Sequence, residues 1–426
     1  MLEAAGYRCR AEPAGKRLAQ AIIAANPNVA LVGVADPGGL DVIREVKSDP
    51  ASRRIPLAAV DVSGDPAVLR ACYDAGVDDL FEDDAEDAEI LARLVPLIRL
   101  SGMEAELLRR AQTAAQFGIT VDTSVDVSKP DEAFRLLVVG VARNAFEAIC
   151  PMLVKTGISY FAEPDPYRAR SRLNDEAEGE FAGALVYVGD DDMLEKCSFF
   201  IRSVRDDRRL FDLPLFVVTE PGGSNAVAEA YGQGANVVAH MPVDCDFLEV
   251  HLKMLHRGRA IRRAIGRRIA SALAPTSADR LGSVYSSDFM QAHMKRLEAD
   301  MAGTGRQSAA ILFFVPTIGE TAALYGADNA AWLRRQVADW LAGLVRVEDI
   351  VARVGSDEFL MLLPETSLDD AARVRRRVVG VLHQSEFGLM DNVPLSIDLY
   401  VQSACVTLKS ADTLEMLIER ASGELA

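Results

Sequence analysis

The feature that most constrains how this chain folds is a repeated unit: a short run of β-branched and other apolar residues, then a turn, then an amphipathic stretch at helical spacing. A strand buried on both faces of a parallel sheet reads as a continuous apolar run, and the helical stretches supply the crossovers between strands. In a first copy, NVALVGVADPGG is a strand with its loop, DVIREVKSDPASRRIPLAAVD runs from helix to strand, and VLRACYDAGVDDLF runs from helix to a short strand. In a second copy, FRLLVVG, ALVYVG, PLFVVTE and ANVVAHMPVD are strands separated by helical stretches such as MLEKCSFFIRSVRDD. The first two thirds of the chain is therefore α/β, written as two similar domains in tandem.

The 426 residues allow about three domains, each with its own core. The longest apolar runs, Leu136 to Val139 and Ala309 to Val315, are too short to span a bilayer. The opening MLEAAGYRCR lacks the basic, apolar and small-residue regions of a secretory signal, so a cytoplasmic location is expected. Cys9, Cys72, Cys150, Cys197, Cys245 and Cys405 show no CxxC or Cys/His spacing, which predicts neither disulfides nor zinc and no cofactor. The net charge of −17 repels a polyanion, so DNA is not an expected partner.

The segments DPASRRIPLAAV, LRACYDAGVDDLF, RRLFDLPLFVVTE and AYGQGANVVAHMPVD resemble response-regulator receiver domains. The resemblance covers residues 1–100 and 129–255 and implies two flavodoxin-like domains. It also implies a strand-end aspartate that accepts phosphate, an acidic pair that binds magnesium, and a lysine after the fourth helix. Aligned on Pro37-Gly38, the acceptor position of the first copy is Gly33 and the lysine position falls at about Asp83. In the second copy Val139-Gly140 stands for the acidic pair, Val188 for the acceptor and Met241 for the lysine, and Thr219 alone of the switch residues is kept. Phosphoryl transfer needs metal and carboxylate together, so both copies are expected to be chemically silent docking or dimerisation modules.

LEAAGY resembles the end of a receiver's first helix, which leaves no candidate for the central first strand. The expectation is a first domain that is atypical or whose native start lies upstream. Residues 101–128 read as a linker. MLHRGRAIRRAIGRRIASALA, from about Met254 to Ala274 and followed by Pro275, reads as a connecting helix, with the second linker bounded at 256–276. Its arginines (Arg257, Arg259, Arg262, Arg263, Arg267 and Arg268) read first as a solvated charged face and second as a surface for an anionic partner.

Residues 277–426 carry RVEDIVARVGSDEFLMLLPETSLDDAARVRRRV, in which VEDIVARV and EFLMLLP flank a tight turn at Gly355-Ser356. This segment resembles the GGDEF domain of diguanylate cyclases and implies an α+β, nucleotidyl-cyclase-like fold. Asp357 and Glu358 keep the family's acidic pair, and Ser356 replaces its second glycine. The opposite half of the family's site, of the form LDIDxFKxxND followed by YGH, appears here as FFVPTIGETAALYGAD. Anchored on Tyr325-Gly326, the metal-binding aspartate is Phe314, the second aspartate is Pro316, and the guanine-reading pair is Ala322-Ala323. LTGLxNR appears as LGSVYSSDF, and the closing YxAKxxGRN is not found in the ending ERASGELA. Without metal carboxylate and base contacts the electrostatic part of phosphoryl transfer is lost, so no catalytic residue and no metal are assigned.

The resemblance implies a second site. Diguanylate cyclases carry an RxxD motif six residues ahead of the signature turn, which binds cyclic di-GMP and inhibits the enzyme. Arg346-Val347-Glu348-Asp349 stands in that register, and alignment on Pro364 places a further family arginine at Arg377. Arginine donates two hydrogen bonds to guanine O6 and N7, and aspartate accepts from N1 and N2. RxxD also occurs at Arg172–Asp175 and Arg209–Asp212, out of register. The plain alternative for Arg346 and Asp349 is a surface salt bridge contributing at most about 1 kcal/mol.

The whole reads as an α/β multidomain chain, two flavodoxin-like receivers followed by an α+β GGDEF domain, and resembles the PopA-like members of the PleD-type receiver–receiver–GGDEF response regulators. That resemblance implies a pseudoenzyme in two-component signalling and cell-cycle control, a cyclic di-GMP-binding adaptor at the cell pole that is homodimeric and serves a protease. The rival readings are an active diguanylate cyclase making cyclic di-GMP from GTP and a nucleotide-independent scaffold.

Overall fold

The computed structural model describes the chain except residues 14, 16, 36–37, 126–133, 141–142, 176–180, 190, 208, 222–223, 305, 391–395 and 426. The expected boundary at 128/129 lies outside the described residues. Two compact units result: Met1–Ser101 with Asp126–Arg263, and Gly102–Val125 with Ala264–Ala426.

In the first unit, the first copy comprises α1 (Leu18–Ala25), β1 (Ala30–Gly33), α2 (Gly38–Ser48), β2 (Leu57–Val62), α3 (Pro66–Ala75), β3 (Asp79–Glu82) and the start of α4 (Asp87–Gln116). Its three strands are parallel in the order β1-β2-β3. β2 is central with four of its six residues buried, whereas β1, at an edge, has one of four buried. Residues 8–13 form no element and are exposed. Among the described residues β1 is an edge strand, paired only with β2.

The second copy comprises β4 (Arg135–Val139), α5 (Arg143–Lys155), β5 (Ser159–Glu163), α6 (Pro166–Asp175), β6 (Gly183–Val188), α7 (Asp191–Asp206), β7 (Leu215–Thr219), α8 (Ser224–Gln233), β8 (Val237–His240) and α9 (Cys245–Ala270). Its five parallel strands run β5-β4-β6-β7-β8, the flavodoxin-like order in which the chain winds outwards from its first strand in both directions. The pattern of burial follows from this order. Every residue of the inner strands β6 and β7 is buried, and the edge strand β5 has none. The conjectured site positions are all strand-end positions: Gly33 closes β1, Val188 closes β6 and Thr219 closes β7, its hydroxyl 2.8 Å from Nδ1 of His240.

Two segments differ from their expected limits. The helix expected from Met254 begins at Cys245, because nothing between Cys245 and Arg257 breaks helical periodicity. Its arginines are not a uniformly solvated face. Arg259 is buried and donates to Phe181 O at 2.6 Å, Arg263 reaches Asp212 at 3.3 Å, and Arg257 is held by the carbonyl of Val77. The segment expected as a linker from 101 opens as the second half of α4, and Gly102–Val125 belongs to the same unit as the last domain.

The second unit also holds α10 (Ser287–Thr304), β9 (Ala309–Phe314), α11 (Pro316–Tyr325), α12 (Ala327–Gly343), β10 (Ile350–Arg353), β11 (Glu358–Leu363), α13 (Leu368–Gln384), β12 (Phe387–Gly388), β13 (Ser396–Ile397), β14 (Gln402–Thr407) and α14 (Leu414–Ser422). Its main sheet is antiparallel in the order β10-β11-β9-β14. Ile311 and Phe313 of β9 and Phe359 and Met361 of β11 pack with Leu333, Val337 and Leu341 of α12 in one core. Among the described residues, no helix is long and apolar enough to cross a membrane.

Candidate functional site: two ends of one hairpin

The β10–β11 hairpin carries both sites conjectured from the sequence, one at its turn and one where β10 begins. At the turn, Val354 N–H and Gly355 N–H both donate to Glu358 O, at 3.0 and 3.3 Å. Glu358 folds back over the turn, and a Cβ on Gly355 would lie 2.3 Å from its carboxylate and 3.1 Å from its own Cβ. A side chain at 355 would require the Glu358 carboxylate to swing away and would still crowd its Cβ, so glycine suits this close approach.

The neighbouring strand decides what faces this turn. In the β9–β11 register Phe314 is directly opposite Glu358, and across β14 it is opposite Gln402. Position 314 is thus a partly buried aromatic ring. Asp357 is engaged from α12: Arg334 Nη2 meets its Oδ1 at 3.3 Å while Arg334 Nε donates to Ser356 O at 2.6 Å. Ala322 and Ala323 are exposed on α11 and offer only methyl groups. Among the described residues, no three His, Cys, Asp or Glu side chains come together in a group able to hold a metal. Further down the hairpin, Arg353 pairs with Asp279 at 2.8 Å and donates to Gly355 O at 3.2 Å. Burial works against ionisation of Asp279, but the Arg353 and backbone hydrogen bonds outweigh it and hold the carboxyl below the usual range.

At the other end, α12 stops at Gly343, and the chain turns through Arg346–Asp349 before entering β10. The aspartate builds this turn. Its Oδ2 accepts from Arg346 N–H at 3.0 Å, and its own N–H donates to Arg346 O at 3.1 Å. Asp349 is consequently only 8% exposed, and Arg346 projects into solvent. Arg377 comes alongside from α13 and donates to Leu344 O at 3.0 Å, two residues before Arg346. The three residues named from the sequence are therefore gathered at one turn. The out-of-register motifs behave differently: Arg209 bonds Asp207 and Asn174, while Asp212 receives Arg263 and lies 3.5 Å from Arg259.

Two contributors were not found from the sequence. Arg334 occupies the Asp357 carboxylate, and Arg110, from the segment expected as a linker, donates to the carbonyls of Glu348 and Asp349 at 3.3 and 3.2 Å. The spacing of Glu106, Arg109 and Arg110 signals ion pairs along one helix, but not that the helix would be buried against the RxxD turn.

Residues 276–426 match the family model described as diguanylate cyclase, GGDEF domain. Response regulator PleD of Caulobacter vibrioides is 24% identical over 407 residues, covering 93% of this chain and 86% of PleD. The uncharacterized protein YhcK of Bacillus subtilis is 27% identical over 130 residues, 30% of this chain and 35% of YhcK. A crystal structure of the GGDEF domain of DgcB from Caulobacter crescentus in complex with c-di-GMP aligns with 35% of this chain and 85% of its own, at 15% identity and a TM-score of 0.33. The chain is therefore similar to a response regulator along nearly its whole length, and residues 276–426 carry its GGDEF homology.

Proposed function

We propose that this chain is a non-catalytic cyclic di-GMP effector that binds the messenger at Arg346, Asp349 and Arg377 and acts as a recruitment adaptor. The observation that carries this reading is the contrast between the two ends of the hairpin. At the turn end, Phe314 faces Glu358 and Arg334 engages Asp357, so a nucleotide triphosphate with its metals would meet one aromatic ring and one neutralised carboxylate. At the other end, the exposed guanidinium of Arg346 has the two parallel donors that guanine O6 and N7 require. Arg377 brings a second exposed guanidinium to the same turn.

The similarity to PleD supports a place in response-regulator signalling. The finer reading is a PopA-like pseudoenzyme: a homodimeric adaptor at the cell pole, in cell-cycle control, that presents a protein to a protease. It rests on silent strand ends in the receivers and a vacated cyclase site. Asp357 and Glu358 favour the rival reading of an active cyclase. One experiment addresses both. The full chain is titrated calorimetrically with cyclic di-GMP and, separately, incubated with GTP and magnesium or manganese. Binding without product is the expected result; product formation establishes a cyclase, and neither binding nor product leaves a scaffold.

A further inference from the structure

Against the turn that carries Arg346 and Asp349 lies a buried ionic cluster contributed by the second half of α4. Glu106 is fully buried and accepts from Arg109 Nε at 3.1 Å and Arg110 Nε at 2.8 Å, and Nε2 of His293 on α10 lies 3.3 Å away. Burial pushes the Glu106 carboxyl up, but His293, Arg110 and Arg109 outweigh it and hold the group well below the usual range. Arg110 is 3% exposed, its guanidinium over the Tyr285 ring at 5.3 Å and its Nη1 3.4 Å from the Tyr285 hydroxyl. Its Nη2 continues to the carbonyls of Glu348 and Asp349, the last two residues of the RxxD motif.

The turn is therefore held from two directions. Inside it, Asp349 caps Arg346; outside it, one arginine clamps two successive carbonyls that are buried from water. A planar guanidinium fixed by a buried carboxylate is a rigid donor, and few side chains could span Glu106 and two carbonyls at once. Binding sites hold their geometry through such supporting contacts, because a small displacement of a bidentate donor removes its hydrogen bonds.

We infer that Arg110, anchored by Glu106, is a positioning residue for the nucleotide site: it fixes the spacing of the Arg346 guanidinium and the Asp349 carboxylate, and so links cyclic di-GMP affinity to the seating of the second half of α4 on the last domain. The inference rests on the reading that the dinucleotide binds at residues 346–349. Linkage is reciprocal, so the ligand must in turn tighten the seating of this helix segment.

The test uses the full chain, with calorimetric titration of cyclic di-GMP into wild type, Arg346→Ala, Arg110→Met and Arg110→Lys, and amide exchange over residues 106–113 with and without the ligand. Arg110→Met is expected to weaken binding about tenfold, with Arg110→Lys between it and wild type because an ammonium keeps the charge but not the fork. In wild type the ligand is expected to slow exchange over 106–113, and in Arg346→Ala it is not. Binding by Arg110→Met within about twofold of wild type, while Arg346→Ala is weakened, overturns the inference and leaves the site standing. Absence of binding by wild type, or an undiminished Arg346→Ala, overturns the site and the inference together. If Arg110→Met does not fold, the wild-type exchange decides, and unchanged exchange over 106–113 on ligand addition overturns the inference.

Discussion

The two ends of the β10–β11 hairpin share a backbone and a sheet, yet they are built from opposite chemistry. The turn end keeps Asp357 and Glu358 but surrounds them with Phe314, Ala322, Ala323 and Arg334. The start of β10 keeps Arg346, Asp349 and Arg377 and adds a buried arginine behind them. The difference teaches that a retained motif is informative only together with what faces it. Glu358 stands across the sheet from an aromatic ring and Asp357 pairs with Arg334, whereas Arg346 and Asp349 share one turn with an exposed guanidinium.

The comparison breaks most decisively on catalysis. Loss of a single preorganised contact in an active site costs about 10²–10³ in kcat. On the proposed reading, in which Phe314, Ala322 and Ala323 stand at the metal and base-reading positions, no cyclic di-GMP is expected from GTP above a no-enzyme blank, measured by chromatography. Turnover comparable to an active cyclase would sink the contrast.

Next in size is the buried anchor behind the RxxD turn. Breaking a buried ion pair on one side costs about 3–5 kcal/mol, and Glu106→Gln is expected to fall in that range by denaturant unfolding. The pH dependence has a definite sign. The Glu106 carboxyl is held below its ordinary value, so its contribution is complete above the unfolded value of about 4.3 and shrinks as pH falls below it. Wild type should therefore lose more stability than Glu106→Gln between neutral pH and about pH 3.5. Equal losses would mean that the cluster is not the acid-sensitive element.

Affinity comes third. Arg346→Ala removes a bidentate contact to guanine and should weaken cyclic di-GMP binding by about 1–3 kcal/mol in calorimetry. Arg377→Ala is expected at the low end of that range, since one of its nitrogens is already bonded to Leu344 O. Full affinity in both variants would place the ligand elsewhere.

The smallest effects separate cap from contact. Asp349→Ala should lower the melting stability of the ligand-free protein by about 1 kcal/mol, because Arg346 N–H loses its acceptor. Glu358→Ala, at the opposite end, should leave affinity unchanged. Binding lost only in Glu358→Ala would reverse the assignment of the two ends.

Much of the fold was legible before any coordinates. The alternation of β-branched runs with amphipathic stretches gave four of the five strands of the second α/β copy and missed β5 (Ser159–Glu163), an edge strand with no buried residue. The hairpin was readable from VEDIVARV, Gly355 and EFLMLLP because a period-two pattern and a turn glycine are local signals. The continuity of α9 back to Cys245 was not, since one amphipathic pattern runs smoothly into another with no breaker between them. Nor was the fate of its arginines: Arg257 and Arg259 find backbone carbonyls far away in sequence, which no spacing rule reveals.

By itself, then, the sequence determined the local elements and the residue types available at each end of the hairpin: an aromatic at 314, alanines at 322 and 323, an arginine and an aspartate three apart at 346 and 349. These are identities, and tertiary structure cannot alter them. Only the tertiary structure decided which identities meet. The β9–β11 register set Phe314 against Glu358, α12 delivered Arg334 to Asp357, α13 delivered Arg377 to the RxxD turn, and the second half of α4 brought Glu106 and Arg110 in behind it. The reason is physical: helical and strand periodicities act over a few residues, whereas a buried hydrogen bond across 239 positions of chain, like that of Arg110 with the Asp349 carbonyl, forms only where packing brings the two segments together and excludes the water that would otherwise satisfy both groups.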